Sequence, residues 1–374
     1  MNKAVIIGKD HHNALGIVES LGRKGVYSYL VILTLHKKSY VAHSKYVKQG
    51  WCCANEDDVL NTLINNFTDK ENKAVAYACD DTAADILDKN HDLLSKIMFL
   101  PTVAKAGTLN EWMRKEKMSS LAENVGMKVP KTWISRNSEI PVDIQFPVIT
   151  KAHSSVEGGK SNLHICKNKD ELETVMKSNH CEIMVIQQYI EKIFEFQLIG
   201  CSLGGGIIVI PGRSTIVRPK GIDNTFFLSF DAIESYYNPL VEKAKKFIMD
   251  TTYTGLFSME FLCDKYGDSY FTEMNFRNDG NAVCVTEFGV NLPYIIYLNK
   301  CGADYSEELK TKTKKVYLCP EVYYFSRMLA GEIGISEFLQ NMRKANCYTT
   351  FFKDDRRPFY KFIEYGILKR MKLI

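Results

Sequence analysis

Two glutamates and an asparagine, about two-thirds of the way along the chain, have the types and spacing of a metal site. Glu260 lies on the predicted strand Phe257–Cys263, and Glu273 and Asn275 lie on the next strand, Ser269–Asn275. Side chains alternate faces along a strand, so Glu273 and Asn275 share a face, and a hairpin can bring Glu260 beside them. Such oxygen ligands suit Mg²⁺, which proteins often share with substrate phosphates. A solvated strand face is the alternative, but carboxylates beside apolar runs need a partner.

An arginine follows this cluster. Arg277 lies two residues beyond Asn275 and therefore on the same face if the strand continues. A guanidinium group can bind two oxygens of a carboxylate or a phosphoryl group, and the alternative is a surface salt bridge. Arg277 is our first candidate for a catalytic residue.

The segment that contains these residues resembles a known signature. Phe271–Arg277 is similar to the hydrophobic-x-Glu-hydrophobic-Asn-x-Arg motif of the ATP-grasp superfamily, and Glu287–Pro293 resembles the helix that follows this motif in carboxylate–amine ligases. The resemblance implies that Glu260, Glu273 and Asn275 bind Mg²⁺, with two ions expected and Mn²⁺ as a substitute. It also implies that Arg277 stabilises an acyl phosphate.

Further segments match the superfamily in the same order upstream. The resemblance assigns the nucleotide phosphates to Lys115, with Lys117 as the alternative by a two-residue slip, and to Lys151. It assigns adenine to the backbone of a hinge strand and ribose to Glu195. Small residues after Lys151 let backbone N–H groups approach phosphate, although Glu157 in that loop is acidic. The implied ATP-binding residues are Lys115, Lys151, Ser155, Gly158, Gly159, Gln188, Tyr189, Ile190 and Glu195.

Other polar residues are candidates for binding the substrates. Asp80 and Asp81 follow a predicted strand, and the turn His11–Asn13, with Asn13 as the candidate for substrate binding, follows the first one. Parallel sheets bind ligands at this end of their strands, although capping of the next helix is an equally good interpretation. Arg213 and Arg218 carry charges that suit an acyl phosphate or a carboxylate, and we predict a catalytic role for Arg213 and a substrate-binding role for Arg218.

The elements that position these residues change character along the chain. The runs Ala4–Gly8, Tyr29–Leu33 and Ala74–Cys79 predict strands that alternate with helices, which indicates a parallel α/β sheet. One helix is predicted for Leu109–Asn124, and from Phe146 a strand-rich α+β pattern begins. The resemblance implies an ATP-grasp fold of four parts. These are a Rossmann-like pre-ATP-grasp substrate domain at 1–107, a central subdomain at 108–183, a catalytic subdomain at 184–318 and an extension at 319–374.

Composition excludes several classes of protein. The net charge of +4 is spread over interspersed basic and acidic residues, so no nucleic-acid footprint is expected. The 11 cysteines form no CxxC pair and there is no export signal, which favours a reduced, cytoplasmic protein. No apolar run approaches the ~20 residues that cross a bilayer. The basic, partly apolar segment Phe359–Ile374 is expected to pack on the protein, with contact to a membrane surface as the alternative.

Taken together, the residues and the resemblance predict an ATP-dependent carboxylate–amine ligase. It would activate a carboxylate, such as that of an amino acid, as an acyl phosphate and pass it to an amine, releasing ADP and phosphate. The alternatives are a carboxylase or another phosphoryl transferase on the same scaffold, and a silent nucleotide sensor. The expected partners are small-molecule carboxylate and amine substrates, and a homodimer is possible. D-Aspartate is one candidate substrate by analogy.

Overall fold

A computed structural model describes most of the chain. The described residues are 2–36, 38–103, 105, 107–136, 139–152, 163–178, 183–216, 226–310 and 314–370, and only the backbone is described for residues 151, 152, 369 and 370. Four predicted site residues lie outside these ranges, namely Ser155, Gly158, Gly159 and Arg218.

The N-terminal part forms a parallel sheet, as predicted. Its strands, in chain order, are β1 (Ala4–Lys9), β2 (Ser28–Leu33), β3 (Val47–Cys53), β4 (Ala74–Ala78) and β5 (Met98–Phe99). In space the order is β3-β2-β1-β4-β5, and every pairing is parallel. The helices of this part are α1 (His12–Gly22), α2 (Glu56–Asn66), α3 (Asp81–Lys89) and α4 (His91–Leu94). The edge strand β3 was not predicted, because its exposed polar residues give it no apolar run.

Two helices occupy the segment that was predicted to be one. They are α5 (Leu109–Trp112) and α6 (Lys115–Asn124), and Arg114 between them has an extended backbone with ψ 129°. The prediction of one helix over Leu109–Asn124 was therefore wrong. The apolar positions on both sides of the break, such as Leu109 and Met118, are buried in the same core, so their spacing imitates a continuous helix.

A small sheet follows, with a core of its own. Its elements are β6 (Thr132–Arg136), β7 (Val148–Ala152), β8 (His164–Cys166), α7 (Lys169–Ser178) and β9 (Ile183–Gln188). The strand order is β6-β9-β7-β8, and all pairings are antiparallel. Trp133, Val148, Leu172 and Ile186 form its buried core. The sheet runs to Gln188, slightly beyond the predicted subdomain limit at 183, and the domain limits remain predictions.

A larger sheet carries the acidic cluster. Its strands are β10 (Lys192–Gly204), β11 (Ile207–Val209), β12 (Arg213–Ile216), β13 (Leu228–Asp231), β14 (Gly255–Asp264), β15 (Ser269–Asn275), β16 (Val316–Cys319) and β17 (Cys347–Tyr348). The order is β15-β14-β10-β12-β13-β16-β17, and β11 pairs with β10. The accompanying helices are α8 (Asn238–Thr251), α9 (Val283–Phe288), α10 (Leu292–Lys300), α11 (Glu321–Leu329), α12 (Ile335–Lys344) and α13 (Arg357–Arg370).

The two sides of the large sheet share cores with the N-terminal part. One core joins Leu15 of α1 to Cys201 and Phe288, and the other joins Ile7 of β1 to Met259 and Phe271. These shared cores fix the position of the large sheet relative to the N-terminal sheet. Residues far apart in the sequence therefore come into contact where the strands of the two sheets end.

The C-terminal segment packs on the N-terminal part, which confirms the packing interpretation of the last helix. The ring centroids of Phe362 and Tyr40 are 4.9 Å apart, and Tyr365 bonds to His43 at 3.0 Å. In the described part of the chain, no helix is long and apolar enough to cross a membrane.

Candidate functional site

The acidic cluster lies on one face of the large sheet. Glu260 of β14 pairs directly with Glu273 of β15, and Ser258 pairs with Asn275. Directly paired residues of antiparallel strands point to the same face. Asn275 donates from Nδ2 to the Ser258 hydroxyl at 3.1 Å and to Oε1 of Glu260 at 3.3 Å. The structure thus brings together the three predicted metal ligands.

Arg277 joins this cluster to the N-terminal part. Its Nη2 donates to Oδ1 of Asn275 at 2.8 Å, and its Nε donates to Oδ1 of Asp81 at 3.1 Å. The guanidinium is largely buried, with 17% of the side chain exposed. Arg277 therefore lies between two predicted groups, the metal ligands and the residues at the end of β4.

Sequence reasoning missed two residues that hold the cluster. Gln197 of β10 pairs with Glu260 and donates from Nε2 to Glu260 Oε1 at 3.2 Å and to Asp279 Oδ2 at 3.4 Å. Asp279 also accepts from Ser258 at 3.0 Å. Strand alternation from Glu195 places Gln197 on the same face, so a signal for Gln197 was present.

The charges of the cluster affect one another. Burial raises the pKa of Glu260 to about 7, and the nearby carboxylates of Glu273 and Asp279 act in the same direction. Burial alone would lower the pKa of Arg277, but Asp81, Asp279 and Glu273 raise it. Crowded carboxylates with buried oxygen atoms are an arrangement that a cation stabilises.

These donors fit the hard cation that the resemblance implies. The carboxylates of Glu260 and Glu273 suit Mg²⁺, which usually takes its remaining ligands from water and substrate phosphates. Oδ1 of Asn275 accepts from Arg277 and its Nδ2 faces Glu260, so Asn275 would bind a cation only after its amide turns. Among the described residues, no group of three or more His, Cys, Asp and Glu side chains is arranged to hold a metal ion. The fit therefore rests on the two glutamates, and the binding of a cation by Asn275 stays a prediction.

The predicted phosphate lysines lie on two different elements. Lys115 begins α6, three residues before Met118, whose sulfur accepts the backbone N–H of Met274 at 3.4 Å. Residues three apart share a helix side, so Lys115 lies on the side that packs against β15. The alternative, Lys117, pairs with Glu111 at 3.0 Å and stacks on Trp112. The backbone of Lys151 lies on β7, opposite Val185.

The hinge and ribose candidates follow the small sheet. The backbone N–H of Gln188 donates to the backbone carbonyl of Lys131 at 2.8 Å, and that of Tyr189 donates to the backbone carbonyl of Pro147 at 3.0 Å. Contacts to adenine would therefore use other backbone groups of the segment that ends at Ile190. Glu195 lies on the same face as Gln197, two residues away, and pairs with Lys192 at 2.5 Å.

Arg213 does not join the cluster. It pairs with Leu198 and therefore points to the face opposite that of Gln197 and Glu260. Two of its nitrogens bind Glu234, at 2.9 and 3.0 Å, and its guanidinium lies 4.5 Å from the ring centre of Tyr237. The guanidinium thus makes structural contacts to Glu234 and Tyr237, and a catalytic role of Arg213 stays a prediction.

The predicted substrate residues have structural partners. Asp80 caps α3 by accepting the N–H of Ala83 at 2.9 Å and also accepts the N–H of Lys9 at 2.6 Å. Asn13 is buried and donates to the carbonyl of Cys79 at 3.0 Å. The capping interpretation thus describes Asp80, whereas Asp81 faces Arg277. A direct role of these residues in substrate binding stays a prediction.

Comparison with curated proteins found partial sequence relatives. No family model matches the chain. It is 31% identical over 159 residues to the 2-oxoglutarate carboxylase small subunit of Hydrogenobacter thermophilus, a match that covers 38% of this chain and 32% of that protein. It is 21% identical over 338 residues to D-aspartate ligase of Enterococcus faecium, covering 80% of this chain and 77% of the ligase. The chain thus spans only about a third of the first relative.

Comparison with solved structures found the same fold. The L-amino acid ligase of Bacillus licheniformis matches with a TM-score of 0.67 and 17% identity, covering 84% of this chain and 79% of that one. The biotin carboxylase domain of the H. thermophilus 2-oxoglutarate carboxylase, solved with MgADP and bicarbonate, matches with a TM-score of 0.66 and 17% identity, covering 85% and 74%. The chain therefore has the fold of these two enzymes.

Proposed function

We propose that the chain is an ATP-dependent ligase that activates a carboxylate as an acyl phosphate and joins it to an amine, releasing ADP and phosphate. The observation that carries this proposal is the cluster of Glu260, Glu273 and Asn275 on one sheet face, with Arg277 bound to Asn275 at 2.8 Å. This combines ligands for a phosphate-bound cation with a guanidinium for the activated group. The similarity to D-aspartate ligase and to L-amino acid ligase supports an amino acid as the carboxylate.

We assign the following roles to individual residues of the chain. Lys115 and Lys151 hold the phosphates of ATP, and Glu195 accepts hydrogen bonds from the ribose hydroxyls. Glu260, Glu273 and Asn275 would hold Mg²⁺, with two ions expected and Mn²⁺ as a substitute. When bound, this cation neutralises charge on the transferring phosphoryl group. Arg277 orients the substrate carboxylate and stabilises the acyl phosphate.

Release of ADP tests the proposal. The protein is incubated with ATP and Mg²⁺ and a panel of L- and D-amino acids that includes D-aspartate, with and without a panel of amines. We expect one pairing for which ADP release and amide formation require both the carboxylate and the amine. ATP binding without turnover under every pairing would contradict the proposal and favour a nucleotide sensor.

A carboxylase is the second candidate. The observation that favours it is the 31% identity over 159 residues to the 2-oxoglutarate carboxylase small subunit. Both reactions phosphorylate a carboxylate-type oxygen, so the same cluster serves either. A bicarbonate arm without any amine separates the two, because only a carboxylase releases ADP there.

A further inference from the structure

The loop that follows β1 packs directly against the turn that follows β15. Asn13 donates from Nδ2 to the carbonyls of Cys79 and Asn278, at 3.0 and 3.5 Å, and Asn278 donates from Nδ2 to the carbonyl of Asn13 at 2.9 Å. A Cβ atom on Gly280 would lie 2.7 Å from Nε2 of His12. The loop therefore has a fixed position relative to the catalytic end of β15.

These bonds favour one tautomer of a neighbouring histidine. Because Nδ2 of Asn13 donates to two carbonyls, the other end of the amide is the oxygen, Oδ1. Oδ1 lies 2.8 Å from Nδ1 of His11 and can only accept, so Nδ1 carries the hydrogen. The backbone N–H of Asn13 also approaches Nδ1, but at 3.4 Å, and is the weaker contact. Neutral His11 thus has its lone pair on Nε2.

The side chain of His11 is accessible to solvent, and charged groups lie near it. Burial lowers the pKa of His11 below 6.5, the bond to Asn13 opposes this, and the charge of Arg277 lowers the pKa further, while Asp80 and Asp10 act to raise it. Its neighbour His12, 3.8 Å away between ring centres, also has a lowered pKa, mainly through burial. Among the described residues, no hydrogen bond engages Nε2 of His11.

We propose that His11 is the general base that accepts a proton from the attacking amine, with Asn13 as its positioning residue. This inference rests on the proposed ligase function and adds a residue to it. The geometry that carries it is the chain of contacts from Cys79 and Asn278 through Asn13 to Nδ1 of His11, which leaves Nε2 as an acceptor at the edge that also holds Arg277.

The proton balance of the step is complete. The amine nitrogen forms a bond to the carbonyl carbon of the acyl phosphate, and the bond from that carbon to the phosphate oxygen breaks. Phosphate leaves with the electron pair, and the proton lost by the nitrogen goes to Nε2 of His11. Arg277 stabilises the negative charge of the departing phosphate. His11 then returns its proton to solvent.

The variant His11→Asn tests this role, because Asn is a good helix N-cap and is expected to keep the start of α1 folded. Two reactions are compared, using the amino acid and the amine that the wild-type protein accepts. Hydroxylamine, which is unprotonated at neutral pH, captures the acyl phosphate as a hydroxamate, and the ordinary amine gives the amide. We expect hydroxamate formation within about threefold of wild type and an amide kcat lower by about 10²–10⁴-fold.

The pH profile gives a second readout that a structural role would not change. The wild-type amide kcat should fall on the acid side with a midpoint below pH 6.5, as His11 becomes protonated. His11→Asn should lose this limb. His91→Asn, at the start of α4, is the matched control and should change neither reaction.

Three other results would contradict the proposal. Amide formation by His11→Asn within threefold of wild type would overturn the role of His11, and so would an equal fall of both reactions, which would indicate a positioning role for the helix start alone. If the wild-type protein forms no hydroxamate with any amino acid of the panel, the proposed function fails and this inference fails with it.

Discussion

At the scale of single residues, Glu273 is the most direct test of the metal assignment. It pairs with Glu260 across the hairpin and is only partly buried, so its removal leaves the strands able to pair. We expect Glu273→Ala to lower the kcat for ADP release by about 10²-fold or more, the cost of losing one electrostatic stabiliser. The far-UV circular dichroism spectrum should not change.

The control for this prediction is Glu242→Gln. Glu242 lies on α8, and 70% of its side chain is exposed beside Lys245. Its activity should equal that of wild type. Unchanged ADP release in Glu273→Ala would remove Glu273 from the metal site.

For Arg213 we expect the opposite result, namely a loss of stability with little change in activity. Lysine cannot bind Glu234 through two nitrogens or stack in the same way on Tyr237. We therefore expect Arg213→Lys to lower the free energy of unfolding by about 1–3 kcal/mol in urea titrations. Its kcat for ADP release, measured on folded protein, should stay within threefold of wild type.

Glu234→Gln removes the charge of the partner and should weaken folding in the same direction. A large loss of kcat in Arg213→Lys at unchanged stability would instead restore the catalytic role that the sequence suggested for Arg213.

At the scale of elements, the site depends on how two loops meet. The turn after β15 approaches the loop after β1, and Gly280 has no room for a side chain beside His12 and Asn13. We expect Gly280→Ala to displace this turn, to lower the free energy of unfolding by about 1–3 kcal/mol and to reduce kcat, since overpacking forces backbone shifts.

Gly366→Ala provides a matched control for the added methyl group. Gly366 lies in α13, and a Cβ there meets nothing within 4 Å. Alanine favours a helix, so stability should stay the same or rise by up to about 1 kcal/mol. If Gly280→Ala behaves like Gly366→Ala in both assays, the two loops do not depend on close contact.

At the scale of the whole molecule, a buried carboxyl pair joins the first helix to the C-terminal segment. Ser44 donates to Asp355 at 2.5 Å and approaches Glu19 at 3.4 Å. Burial raises the pKa of Glu19 to about 9 from an ordinary value of 4.5, and Asp355 contributes in the same direction. The folded protein therefore keeps a proton on Glu19 that the unfolded chain releases.

The sign of the pH effect follows from this difference. Between about pH 4.5 and pH 9 the folded state binds more protons than the unfolded state, so the contribution of Glu19 to the free energy of unfolding falls as pH rises, by at most about 1.4 kcal/mol per unit. Glu19→Gln should flatten this dependence in urea titrations at about pH 6 and about pH 8. Glu123→Gln, on the exposed side of α6, should not. Equal slopes for wild type and Glu19→Gln would show that Glu19 is ionised in the folded protein.

The sequence by itself determined the local part of this protein. Alternation along a strand has a period of two residues, so the spacing of Glu273 and Asn275 already placed them on one face, whereas Arg277 lies beyond the end of β15. The buried runs of β1, β2 and β4 likewise predicted the parallel sheet, because parallel strands are apolar on both faces. The order of motifs predicted the ATP-grasp fold. Local spacing could not reveal the break between α5 and α6, since both helices contribute buried residues to one core.

Only the tertiary structure decided which distant residues meet. Arg277 bonds to Asp81 across 196 positions of sequence, and Asn13 bonds to Asn278 across 265. Such pairings depend on strand order and on how the sheets share their cores, which no local pattern encodes. The same holds for Arg213, whose face depends on its register with β10. The charged residues of the candidate site could thus be identified from the sequence. The residues that contact them are determined by how the two sheets pack together.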